Sequence, residues 1–249
     1  MKKVPWTGFD VLLFLGIWLA PLLAGVAIAY VASQPQGAVD TADHGHPLAQ
    51  LIEQSEHSLV ILLVALIAGV IVAPIVEEFL FRMLFQGWLE ATFQQLHVPH
   101  ASSVAIVIVA LCFAAIHLNS NDAIDVHTLL IGFVLSSLYS LIVFTAGIVY
   151  LTQVRNVQIA NYFIGTERFF RPGFFRGMGY CLLVIVFCFV LFATLKSIYP
   201  ETNVAPVAIF FFALALGVLY SRTQNLSYCI LLHACLNGIS LTLVWLGVG

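Results

Sequence analysis

Residues 58–76 read Ser-Leu-Val-Ile-Leu-Leu-Val-Ala-Leu-Ile-Ala-Gly-Val-Ile-Val-Ala-Pro-Ile-Val, 19 residues without a charge, and residues 77–82 then read Glu-Glu-Phe-Leu-Phe-Arg. The first stretch is long enough to cross the hydrocarbon core of a bilayer as a helix. The second places three ionisable groups directly after it. A charged group at that depth costs about 2.5–3.5 kcal/mol on insertion scales, so such residues call for partners or a function.

The rest of the chain agrees with a membrane solvent. Of 249 residues, 61% are hydrophobic and 8% charged, and the mean hydropathy is +1.04. A soluble domain averages about 25% charged residues. Further uncharged runs lie at Val11–Ala32, Ala101–Leu118, Thr128–Leu151, Gly179–Leu195, Val204–Tyr220 and Leu226–Val248. With Ser58–Val76 they predict seven spans, and Phe79–Gln95 is an eighth candidate that carries Arg82 and Glu90. The expected fold is therefore an all-α polytopic transmembrane bundle of seven or eight spans around a polar cavity. No polar stretch is long enough for a separate soluble domain. The net charge of −3 comes from few ionisable groups and points to no nucleic-acid partner.

Loop composition suggests orientation. Ser33–His57 holds Asp40, Asp43, Glu53 and Glu56 with no Lys or Arg, whereas Lys2, Lys3, Arg155, Arg168, Arg171 and Arg176 lie in two other non-spanning segments. The positive-inside rule places those two in the cytoplasm. His44, His46, His57, His97 and His100 read as solvated loop histidines. The five cysteines lie in apolar segments without metal or disulfide spacing, and read as small core residues.

Three polar groupings remain. On a helix Glu78 and Arg82 are i,i+4 neighbours with the acid N-terminal, the favourable order for an ion pair. Glu77 projects about 100° away from Glu78 and is left without a local partner. A partly desolvated, unpaired carboxylate is suited to general-base work or proton carriage. Phe113 and His117 share a helix face one turn apart, and so do His233 and Asn237 inside the last apolar run. The latter pair serves either as interhelical glue or as the lining of a polar cavity. Together these residues supply bases and neutral donors of the kind needed for attack of water on an amide carbonyl.

In order, Glu77-Glu78-Phe79-Leu80-Phe81-Arg82, Phe113 to His117 and His233 to Asn237 give E-E-x-x-x-R, F-x-x-x-H and H-x-x-x-N. This pattern resembles the CAAX-processing and bacteriocin-processing family of intramembrane endopeptidases, known as CPBP or Abi proteins. Ala215–Thr223 also resembles the segment that precedes the family's last motif. The resemblance implies a helical membrane protease in which Glu77 and His117 activate water, His233 and Asn237 hold the oxyanion, and Glu78, Arg82 and Phe113 support the site. It implies a membrane-associated, lipid-modified peptide or protein substrate within the bilayer of an inner or plasma membrane. It leaves the metal open: a divalent ion such as zinc would take Glu77, His117 and His233.

The spacing departs from the family in one respect. The stretch from His117 to His233 is long, so 119–204 is expected to be a two-helix insertion in a single domain spanning 1–249. A topological tension follows. Seven spans satisfy the charge rule but put His117 on the face opposite Glu77, while a separate crossing by Phe79–Gln95 reunites them and sends the arginines outside. The chemistry favours eight spans. Two other readings compete with proteolysis: a non-catalytic immunity or assembly protein on the same fold, and a proton-coupled transporter using Glu77 as carrier.

Overall fold

A computed structural model describes residues 4–32, 58–117, 126–164, 172–199 and 204–246. The acidic first loop with its three histidines, Lys2, Lys3, Arg168, Arg171 and the ends of the 119–204 segment lie outside the described residues. Every regular element described is helical: α1 Gly8–Ala32, α2 Leu59–Gln95, α3 Ala101–Ile116, α4 Val126–Gln153, the short α5 Ala160–Ile164, α6 Pro172–Ile198, α7 Ala205–Thr223 and α8 Leu226–Trp245. The protein is an all-α membrane helix bundle. Seven of these helices are apolar, and α2, α7, α8 and residues Leu130–Gln153 of α4 have the length and composition to cross a membrane.

The eighth crossing expected at Phe79–Gln95 is not a separate helix. It continues α2, whose 37 residues run without a turn from Leu59 to Gln95, about 55 Å at 1.5 Å per residue. The charges at 77–82, which suggested the end of a span, lie near the middle of this helix. That Glu77 and His117 meet without a separate crossing has a simple geometric reason. From Glu77 to Gln95 the chain climbs about 27 Å, and from Ala101 to His117 it descends about 24 Å. The return along α3 therefore brings His117 back to the level of Glu77. His97 and His100 are exposed in the intervening turn, with left-handed φ values of 56° and 54°.

Helix α2 is not wound uniformly. Two π-helical sections, Leu66–Val72 and Phe79–Gln86, flank the α-helical turn Ala73–Glu78. Pro74 accounts for the first, because a proline inside a helix has no N–H to donate and its ring crowds the preceding turn. The wider winding accommodates it: the Ala73 N–H reaches back five residues to Ala68 O. The next bond of that series would join position 74 to Gly69 O, and proline leaves that carbonyl without its backbone donor. Long π sections are rare and concentrate at functional sites.

Close helix contacts fix the positions of the walls. A Cβ at Gly217 would sit 2.8 Å from Ile106 Cγ2, so glycine allows α7 and α3 to approach. A Cβ at Gly147 would sit 3.1 Å from Phe79 Cε1, bringing α4 against α2 in the same way. Val143 and Leu151 of α4 and Ile185 and Cys188 of α6 are buried in the same core as Phe79, Phe113 and Phe212. The two long helices of the 119–204 segment, α4 and α6, are therefore walls of the main bundle. Among the cysteines, Cys188 and Cys229 are buried as expected, but Cys112 and Cys235 are exposed, small side chains on the outer surface of an apolar bundle.

The start of α1 is held firmly. Thr7 and Asp10 form a reciprocal capping box: the Thr7 N–H donates to Asp10 Oδ2 at 2.6 Å and the Asp10 N–H to Thr7 Oγ1 at 3.4 Å. The other Asp10 oxygen accepts from Tyr150 Oη at 2.7 Å and Arg155 Nη2 at 2.8 Å. This fully buried acid thus ties α1 to the far end of α4. Trp18 Nε1 donates to Ser140 Oγ at 3.1 Å, and Tyr139 Oη donates to Ile17 O, so the pair is also bonded further along.

Candidate active site

The site is built by α2, α3 and α8, with α1 and α4 closing one side. In α2, the buried Arg82 donates from Nε to Glu78 Oε2 at 3.0 Å. The four-residue spacing that suggested this pair places both groups on the inner face, fully buried. Across the interface, His233 Nδ1 of α8 donates to the second oxygen, Glu78 Oε1, at 2.9 Å. Glu78 therefore orders two partners at once, and the carboxylate fixes which ring nitrogen of His233 carries hydrogen.

His117 stands just past the end of α3 and is oriented by its own helix. Its Nδ1 donates to Phe113 O at 2.7 Å, which turns Nε2 toward α2. Phe113 separates and spaces the charged groups. Its ring lies 4.6 Å from that of His117, 5.8 Å edge-on from that of His233 and 5.1 Å from Phe81. The Arg82 guanidinium carbon sits 5.3 Å from the same ring centre, a favourable cation–π distance. Phe212 of α7 packs edge-on against His233 from the other side at 5.5 Å.

Glu77 faces this arrangement. His117 Nε2 and His233 Nε2 each lie 3.9 Å from Glu77 Oε2. That is too far for a direct hydrogen bond. Glu77 Oε2 is buried and has no hydrogen-bond partner. Both histidines have their Nδ1 hydrogens committed elsewhere, so in their neutral forms both Nε2 lone pairs converge on the same carboxylate oxygen. A water about 2.8 Å from Glu77 Oε2 and from either Nε2 would subtend roughly 90° at its oxygen, an acceptable geometry for one bridging molecule.

Beside this centre is a cavity of about 570 Å³, lined by Glu77 and His117, by Trp18, Leu19 and Pro21 of α1, and by residues of α4 that include Gly132, Ser136 and Tyr139. Sequence reasoning missed these two walls, because tryptophan, glycine and serine in long apolar helices carry no distinguishing pattern. It also missed the polar extension along α2, where buried Gln86 donates from Nε2 to Glu90 Oε1 at 2.8 Å and to Gly217 O at 2.9 Å.

Asn237 is placed differently from the other site residues. It lies one turn beyond His233 on α8, and its Nδ2 donates to Gly69 O at 2.8 Å. This is the carbonyl that Pro74 leaves without a backbone donor. One of the two amide hydrogens is thereby committed to α2.

Glu77, His117 and His233 have the right chemistry for a divalent metal, and each imidazole has the oriented Nδ1 hydrogen typical of a metal ligand. The spacing does not fit as placed. Two ligand atoms on a tetrahedral zinc lie roughly 3.3 Å apart at bond lengths of about 2.0–2.1 Å, shorter than the 3.9 Å found here. Among the described residues no group of three ligands has metal dimensions.

The sequence profile described as type II CAAX prenyl endopeptidase Rce1-like matches residues 59–157 and 161–239. The match covers more than half of the chain, including all three motifs and most of the 119–204 segment. Neither the curated proteins nor the solved structures give a significant match. A bundle of apolar helices thus encloses a carboxylate and two histidines on the motifs of a protease family whose substrates are membrane-associated peptides. The chain belongs to the Rce1-like family of type II CAAX prenyl endopeptidases and is an integral membrane protein.

Proposed function

We propose that this protein hydrolyses a peptide bond near the C-terminus of a prenylated, CAAX-type substrate, in the inner or plasma membrane of its cell, by attack of a water activated by Glu77 and His117. The observation that carries the reading is the convergence of the His117 and His233 Nε2 atoms on the unpartnered Glu77 Oε2.

In this reading the water lies between Glu77 Oε2 and His117 Nε2. Glu77 accepts its proton as the oxygen adds to the carbonyl carbon, and the resulting acid returns that proton to the departing amine when the C–N bond breaks. The tetrahedral oxyanion accepts hydrogen bonds from His233 Nε2–H and from the second amide hydrogen of Asn237. For His233 to donate from Nε2 while Nδ1 donates to Glu78, the ring must be imidazolium. Glu78 supplies the counter-charge at 2.9 Å. Arg82 and Phe113 hold Glu78 and the two rings in place, and the cavity beside α1 and α4 receives the substrate.

The test uses the full chain in lipid nanodiscs and a farnesylated CAAX peptide, with release of the residues after the modified cysteine followed by mass spectrometry. Wild type is expected to release them, and Glu77→Gln to do so at least about 10³-fold more slowly. Near-wild-type cleavage by Glu77→Gln would refute the base assignment. A wild-type protein that cleaves no prenylated peptide would favour a non-catalytic role on the same fold.

A further inference from the structure

The α4 wall of the cavity beside Glu77 is formed by Gly132, Leu135, Ser136, Tyr139 and Ser140, whose spacing puts them on one face of the helix. The Tyr139–Ser140 end of this face is fastened to α1. Pro21, inside α1, has no N–H to give the carbonyl four residues earlier, that of Ile17, and Tyr139 Oη donates to it instead. Ser140 Oγ accepts from Trp18 Nε1 at 3.1 Å. These bonds hold the two walls in place, and beyond them the face is open. Among the described residues Ser136 has no hydrogen-bond partner, whereas Thr152, Thr194, Thr223 and Thr242 turn their hydroxyls back to the carbonyl four residues earlier, a common habit of hydroxyl side chains in helices.

Gly132 is open in a second sense. A glycine inside a helix costs about 1 kcal/mol relative to alanine. Gly147 and Gly217 answer that cost with close contact, since a Cβ there would sit 3.1 and 2.8 Å from a neighbouring helix's side chain. A Cβ at Gly132 would meet nothing within 4 Å. Gly16 and Gly179 are equally uncrowded, but of the three only Gly132 lines the cavity. Its missing side chain therefore adds room to the cavity and brings no helices together.

We propose, building on the proteolytic reading above, that Gly132 and Ser136 determine substrate specificity: Gly132 makes room for a bulky apolar side chain on the first residue released, and the Ser136 hydroxyl donates to a peptide carbonyl of the same segment. Trp18, Leu19, Ile116 and Leu135 give that side chain an apolar surface. The volume of about 570 Å³ lies within the roughly 300–1,000 Å³ of small-ligand sites. An isoprenoid chain is a poorer occupant: it gains little by leaving lipid tails that are as apolar as the wall, and it offers Ser136 nothing to bond. A peptide group at the same depth needs a hydrogen-bond partner.

The test compares, in lipid nanodiscs, two farnesylated peptides that differ only in the first residue released, Ala or Phe. Wild type is expected to show a kcat/KM for the Phe peptide at least equal to that for the Ala peptide. Gly132→Leu should lower the Phe-to-Ala ratio at least about tenfold; Gly132→Ala should lower it less, and serves if Gly132→Leu does not fold. Ser136→Ala should raise KM for both peptides alike by about 2–10-fold, the effect of one neutral hydrogen bond, with little change in kcat, because that contact is made equally in the bound and transition states. An unchanged ratio in both Gly132 variants overturns the size role, as does a Gly132→Leu enzyme that discriminates between farnesyl and geranylgeranyl chains instead of between Ala and Phe. An unaltered KM in Ser136→Ala removes Ser136 from the pair. Titrating both peptides against Glu77→Gln, with and without Gly132→Leu, reads the same preference without turnover. A binding preference that Gly132→Leu shifts, in a protein whose wild type hydrolyses neither peptide, would leave the specificity pair standing and overturn the proteolytic reading alone.

Discussion

Asp10 and Glu77 are both carboxylates set in apolar helices, and they are treated in opposite ways. Asp10 accepts from Thr7 N, Thr7 Oγ1, Tyr150 Oη and Arg155 Nη2, so both of its oxygens are saturated. Glu77 keeps one buried oxygen without any partner, between two imidazole nitrogens and beside a cavity. Burial alone does not distinguish a reactive acid from a structural one. The difference is whether the surrounding donors have been spent on it. Glu78, next to Glu77, belongs with Asp10: Arg82 takes one oxygen and His233 the other.

The largest expected effect after Glu77 is at His117: His117→Ala should lower kcat about 10²–10⁴-fold while leaving the folded yield near wild type, since it removes a base that supports no other helix. A variant that lost yield but kept its kcat would place His117 with the structural groups. Glu78→Gln should lower both quantities, with kcat falling about 10–100-fold, because His233 loses its orienting carboxylate and buried Arg82 its counter-charge. If kcat alone fell and the yield were untouched, the classification of Glu78 with Asp10 would be wrong. Asp10→Ala should do the reverse of His117→Ala, lowering the detergent unfolding midpoint by about 5 °C with little change in kcat per folded molecule. The smallest effect is expected from chelation. Because Glu77 Oε2 lies 3.9 Å from each Nε2, against roughly 3.3 Å between two ligands of one zinc ion, dialysis against a chelator should leave turnover unchanged, and loss that zinc restored would show that the site closes around an ion.

Much of this division was readable before the fold was known. The i,i+4 spacing of Glu78 and Arg82 predicts their pairing and leaves Glu77 over, and the one-turn spacings of Phe113 with His117 and His233 with Asn237 put each pair on one face. The continuity of α2 was not readable in the same way. Three charges after an apolar run look like a helix leaving the membrane, and only the packing of α3, α7 and α8 around them shows that the helix continues through protein. The partner of Asn237 was also hidden. Hydropathy and periodicity assume regular winding, whereas the Gly69 carbonyl is free only because a proline five residues later interrupts a π series. The roles of Trp18, Ser136 and Tyr139 depend on a cavity between α1 and α4, which no local pattern encodes.

The Asp10 contact also has a consequence for biogenesis. Tyr150 and Arg155 lie 140 and 145 residues downstream, so during synthesis α1 reaches the bilayer long before either donor exists. Until then Asp10 has only its own capping threonine, and α1 is held only by its contacts with α2, among them Trp6 Nε1 to Leu84 O and Trp18 against Phe81. The contact of α1 with α4 is thus made late, and the wall these two helices form beside Glu77 closes only once α4 is in place. Nascent chains arrested before residue 150 should leave α1 open to cross-linking with lipid, and chains arrested well beyond residue 155 should protect it; equal exposure in both would remove Asp10 from the order of assembly.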